Sequence, residues 1–137
     1  MLRVHRAAVC LFLVIAAGSV RAQDQPILNG TWLFSSVTFD GKVSVDGHTS
    51  LSFSGNKYEQ ALDGVANEHG IIQLDQTKKP MTIDFFVSDG DAANSVQLGI
   101  IEVAGDTLKL HLNLGTTMRP VNFDPVPENL LIIAKRN

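Results

Sequence analysis

Cysteine is almost absent from the chain: Cys10 is the single one in 137 residues. It falls within an uncharged apolar run, Ala7 to Gly18, that follows Arg3 and Arg6 and precedes Val20-Arg21-Ala22. A charged start, an apolar stretch and small or apolar residues at −3 and −1 form the pattern of a secretory signal peptide cleaved after Ala22. The run is too short to span a bilayer as a helix. Cys10 lies early in the run, behind Val9, where a lipid-attachment site calls for Gly or Ala, so no membrane anchor is expected after cleavage. Residues 23–137 would then hold no cysteine, which excludes disulfides, thiol catalysis and cysteine metal sites. Basic residues are also scarce. Over 23–137, eight Lys and Arg stand against fourteen Asp and Glu, a net charge of −6. Phosphate binding needs clustered cations, so nucleic acid is not an expected partner.

Helical periodicity is missing as well. The best helical window, Tyr58 to Glu68, is interrupted by Gly64. Turn chemistry is plentiful instead: Asp40-Gly41, Asp46-Gly47, Gly55-Asn56, Asp63-Gly64, Asp89-Gly90 and Gly105-Asp106. Asn, Asp and Gly tolerate the positive φ that tight turns require. Between them, side chains alternate with period two. Leu108, Leu110, Leu112 and Leu114 share one face, with Thr107, Lys109, His111 and Asn113 opposite. Met81, Ile83, Phe85 and Val87 oppose Thr82, Asp84, Phe86 and Ser88. From Ser95 to Val103 the apolar set starts as Val96, Leu98 and Ile100 and shifts parity to Ile101 and Val103, predicting a β-bulge or a sharp bend next to Gly99. Further strands are expected over 31–39, 49–53, 57–62, 70–74 and 130–135. About eight short strands at this spacing predict an all-β fold, and closure removes the exposed edges of such a meander. The expected organisation is a signal peptide over 1–22, a flexible lead-in over 23–27, and one antiparallel up-and-down barrel over 28–137.

Catalytic and metal patterns are lacking too. His48, His69 and His111 fit no metal-binding spacing and read as solvated, with His111 on a polar face. Asp89-Gly90-Asp91 with Asn94 reads as a hairpin turn, since the remaining ligands of a calcium loop are missing. Asp84 points away from the apolar side, and no nucleophile elbow is present. No catalytic residue, metal site or cofactor is expected.

Asn29-Gly30-Thr31-Trp32 opens the first strand, and a Gly-x-Trp there resembles the lipocalin and calycin superfamily. Nearly the whole of 28–137 is similar to a bacterial family of small exported lipocalin-like domains of unknown function. The pattern includes Lys79-Pro80 with Ile83-Asp84, Gly99-Ile100-Ile101-Glu102 through Gly105-Asp106-Thr107-Leu108-Lys109, and Arg119-Pro120 with Phe123. The family often carries Tyr where Ile101 stands. The resemblance implies that Gly30 lets the chain bend into the barrel and that Trp32 closes its lower end beneath a cation. Arg136 and Arg119 compete for that place, and a position near the end of the barrel favours Arg136.

Candidate inward-facing pocket residues are Phe34, Ile83, Phe85, Leu98, Ile100, Leu110, Leu112 and Ile132. Barrels of this strand number are filled by side chains or hold one small ligand. The expected function is a monomeric exported protein, periplasmic or extracellular, holding a small apolar or amphipathic ligand. The alternative is an envelope interaction or inhibitor module using its loops and outer face, with Phe86 and Ile101 expected to point outward.

Overall fold

The computed structural model describes residues 27–115 and 118–137; the leader boundary at Ala22 and most of the lead-in lie outside them. Nine strands are present: β1 (Gly30–Phe39), β2 (Lys42–Val45), β3 (Thr49–Ser54), β4 (Lys57–Leu62), β5 (Val65–Asp75), β6 (Met81–Val87), β7 (Val96–Ala104), β8 (Thr107–Asn113) and β9 (Asn129–Arg136). No helix occurs among the described residues.

Eight strands close into an antiparallel barrel. Each of β3 to β9 pairs with its neighbour in sequence, and β9 returns to β1 through Trp32↔Arg136, Phe34↔Ala134 and Val37↔Ile132. One edge of β1 is shared. Its first half pairs with β3 and its second half with the added strand β2. At the handover the register shifts between Phe34 and Ser36. This bulge keeps Trp32 and Phe34 inward on one side of it, and Val37 inward on the other.

The core fills the barrel. Trp32, Leu51, Phe53, Tyr58, Ile72, Ile83, Phe85, Ile101, Leu108, Leu110, Ile132 and Ala134 form one buried cluster. Tyr58 meets Phe85 edge to face with ring centres 4.9 Å apart, and Phe53 tilts against Phe85 at 6.3 Å. Such offset arrangements suit the quadrupoles of the rings.

Three expectations are corrected at β7. Register is continuous through Gly99 in both of its ladders, so no bulge lies there. Gly99 sits opposite the inward residues Ile83 and Leu112. A Cβ at Gly99 would come within 2.7 Å of Leu112 Cδ2, so glycine makes room for the neighbouring core side chain. Leu98 and Ile100 therefore point outward and are not pocket residues. Ile101, expected outside, faces inward and is 1% exposed. Phe86 does face solvent.

His111 is corrected for a related reason. It points outward from β8, opposite Ile100, yet is 1% exposed. The segment 118–128 folds back over this wall. Pro120 is buried there, and His111 Nδ1 lies 2.7 Å from the Asn122 carbonyl. The outer wall at β7 and β8 is thus a second, smaller buried layer, which places apolar side chains on both faces of β7.

Candidate binding site at the barrel mouth

The lower end of the barrel is shut. Trp32 is fully buried, and its indole Nε1–H donates to the Leu28 carbonyl at 2.9 Å. The Arg136 guanidinium lies 4.1 Å from the centre of the Trp32 ring. Its Nη1 donates to the Asn29 carbonyl at 2.9 Å, and Nε lies 3.6 Å from Asp106 Oδ1. Gly30 adopts φ +117°, and a Cβ there would sit 3.3 Å from Arg136 Nη1. Glycine at this position permits both the bend and the close cation.

Arg119 lies elsewhere. It reaches across the outer wall to donate to the carbonyls of Gly99 (2.9 Å) and Ile83 (3.3 Å). Its Nη2 is 2.7 Å from Asp84 Oδ1. That contact is a charge pair and not an aligned hydrogen bond, and among the described residues Oδ1 is buried without a donor. Arg119 thereby pins the returning segment to the barrel.

The upper end is open. A cavity of about 280 Å³ enters between β1, β4, β5, β7, β8 and β9. Its walls combine apolar Phe34, Val37, Leu112, Leu130 and Ile132 with polar Asp46, Thr49, Gln60, Glu68 and Gln97. Beneath it a recess of about 20 Å³ touches Tyr58, Phe85 and Leu110. That recess holds about one water molecule. Of the expected pocket residues, Phe34, Leu112 and Ile132 line the mouth, Phe85 and Leu110 reach the recess, and Ile83 belongs to the packed core. The polar members were not expected. Gln60 and Glu68 fall inside the window that best resembled a helix, and Gln97 lies where parity was misassigned.

Two polar devices shape the rim. Tyr58 donates its hydroxyl to Glu68 Oε2 at 2.8 Å. Burial, and then this carboxylate, push the Tyr58 pKa well above its ordinary value, so the phenol remains a donor. At the β2–β3 turn, Asp46 Oδ1 accepts N–H bonds from Gly47, His48 and Thr49, and Oδ2 accepts the Thr49 hydroxyl. Partial burial opposes the Asp46 charge, but the donors of His48, Gly47 and Thr49 outweigh it and lower the pKa from 3.8 to about 2. A depressed folded value means that the stabilisation is complete above the unfolded pKa and is lost as the pH falls through the folded one. The thermal midpoint should drop as the pH falls from about 4 to about 2, and Asp46→Asn should flatten that slope. An unchanged slope would remove Asp46 from this role.

The other histidines stay on the outer surface. His69 Nε2 is 3.0 Å from Glu59 and Nδ1 is 3.1 Å from Asp89, contacts that raise its pKa, Glu59 first and then Asp89. His48 meets Asp63 at 2.7 Å. Among the described residues, two larger hollows lie on the outside. One, of about 580 Å³, runs beside Asp75, Lys78, Asp84 and Arg119. The other, of about 730 Å³, lies under residues 118–129 and is rimmed by the exposed Met118, Val121 and Val126. Both are surface troughs, whereas the mouth is ringed by converging strands.

No family model and no curated protein matches the chain. Two solved structures are similar to it. One is a lipocalin-like protein from Bacteroides uniformis ATCC 8492, with a TM-score of 0.56, 13% identity, and coverage of 81% of this chain and 99% of that one. The other is an uncharacterized protein from Bacteroides eggerthii DSM 20697, with a TM-score of 0.52, 13% identity, and coverage of 79% and 98%. At this identity the likeness concerns the fold: the chain is a closed, eight-stranded antiparallel barrel of lipocalin-like architecture.

Proposed function

We propose that this protein is an exported, non-catalytic binding protein that holds one small amphipathic ligand in the barrel mouth. The observation that carries the reading is the mouth itself, a cavity of about 280 Å³ with an apolar floor and a few convergent polar groups. Ligand sites have that composition, and this volume lies near the lower end of their range. Below it lie the packed core and a recess of about 20 Å³, so the ligand sits near the surface. The signal-peptide pattern of residues 1–22 supports export. The Gly30-x-Trp32 and Gly99-to-Lys109 patterns support a place among the small exported lipocalin-like domains of bacteria. Native mass spectrometry of protein purified from its source should show a small-molecule adduct that is lost in Gln97→Trp, where an indole fills the mouth. An adduct that persists in that variant would place the ligand elsewhere.

A second reading, an interaction module, is favoured by β2. All four of its residues are exposed, Val43 by 68% and Val45 by 89%. The Asp46 N–H bonds back to the Ser35 carbonyl, so strand alternation turns the main-chain groups of Val43 and Val45 away from β1. Antiparallel pairing with a second copy, centred on Ser44, sets Val43 against the same strand's Val45 in that copy, apolar against apolar. This match of apolar side chains favours a second copy as the occupant in this reading, against the monomer expected from sequence. Sedimentation should give a dimer that Val45→Lys converts to monomer, because charged edges block strand addition. A monomeric wild type at high concentration would end this reading.

A further inference from the structure

We propose that the occupant of the mouth carries a positively charged amine head on a short apolar tail. The inference rests on the mouth being the binding site and adds the charge of what it holds. Among the described residues, two charged side chains line the cavity, Asp46 and Glu68, and both are acidic; no described Lys or Arg lines it. Among the described residues, Tyr58 is the one side-chain partner of Glu68, and it engages Oε2 alone. Oε1 is therefore available to a donor from the ligand. Tyr58 is itself locked against Phe85, which fixes the carboxylate over the floor of the cavity. Asp46 is fully engaged by the N–H groups and hydroxyl of its own turn, so it contributes a negative field at the rim and not a direct contact.

The three possible head groups fare differently here. An anionic head would meet two like charges in a partly desolvated cavity, with no cation to offset them. A neutral head would let the ligand's tail strip water from Glu68 without replacing it by a charge. An ammonium head gives Glu68 a charge-assisted hydrogen bond. The tail then lies against Leu112 and Ile132.

Isothermal titration of the protein with hexylammonium, 1-hexanol and hexanoate tests this with one tail and three heads. Hexylammonium should bind about tenfold more tightly than 1-hexanol, the size of one charge-assisted hydrogen bond at a partly exposed site, and hexanoate most weakly. Glu68→Gln retains an acceptor for the Tyr58 hydroxyl, so the fold should persist, as circular dichroism would check. That variant should erase the advantage of the amine over 1-hexanol. Hexanoate binding as well as hexylammonium, or an amine advantage that survives Glu68→Gln, would overturn the charge inference while the mouth stands as a site. Failure of all three probes to bind would overturn the mouth and the charge inference together.

Discussion

Replacing Trp32 with alanine is expected to destabilise the protein by about 3–5 kcal/mol, the usual cost of deleting a large aromatic from a packed core. Three losses combine. The indole gives up complete burial at the closed end, its N–H bond to the Leu28 carbonyl, and its contact with the Arg136 guanidinium at 4.1 Å. Arg136→Ala should cost about 1–2 kcal/mol, since the side chain is part-exposed and stacking there is worth less than burial. The two losses should not add, because each removes the same contact. Trp32 is the single tryptophan, so its fluorescence reports this site alone. Native emission should be that of a buried indole. A solvent-exposed spectrum, or a coupling energy near zero in the double-mutant cycle, would contradict the closure.

Leu110→Asp is expected to cost several kcal/mol, because it places a carboxylate among apolar side chains with no partner. Leu110 is fully buried and faces Ile101 and Ile132 across the two ladders of β8. Strand alternation alone would make the next residue tolerant. Here His111→Asp should also be costly, by about 2–4 kcal/mol, because it buries an unpartnered charge and leaves the Asn122 carbonyl without its donor. The cause is the covering segment and not the barrel interior. Glu102, on the same outer wall but exposed, supplies the contrast. Glu102→Gln should change stability by less than about 0.5 kcal/mol. Urea unfolding of the three variants separates the alternatives. A cheap His111→Asp would mean that residues 118–128 do not seal that wall.

The contrast between β1 and β7 explains how much of the fold was legible. Both strands show an apolar pattern that changes parity. In β1 the change, from Trp32 and Phe34 to Val37, is a true register shift at the point where β1 exchanges β3 for β2. In β7 the same sign, Leu98 and Ile100 giving way to Ile101 and Val103, has no register shift beneath it. It arises because Ile100 lies under a distant segment and Gly99 leaves an inward position without a side chain. Local periodicity reports which side chains avoid water, not which side of the sheet removes it. The barrel, its closure between β1 and β9 and most strand positions followed from turn chemistry and alternation. The short hairpin strand β2 did not, since its exposed residues make no apolar pattern. The mouth was half legible. Phe34, Leu112 and Ile132 announce an apolar wall, but Glu68 and Gln97 gain meaning only when the barrel brings β5 and β7 to the same opening. Arg136 is favoured over Arg119 by its place near the end of the barrel, and it is Arg136 that lies over Trp32 while Arg119 reaches Asp84.

Under the proposed function the barrel is solid below and receptive only at its open end. Methyl-resolved nuclear magnetic resonance during titration with 1-hexanol separates this from binding elsewhere. Shifts should appear at Leu112, Leu130 and Ile132, which line the mouth, and not at Ile83 or Leu108, which lie in the packed core. Shifts that spread to Ile83 and Leu108, or that gather on the outer wall at Met118 and Val126 while the mouth stays silent, would contradict it.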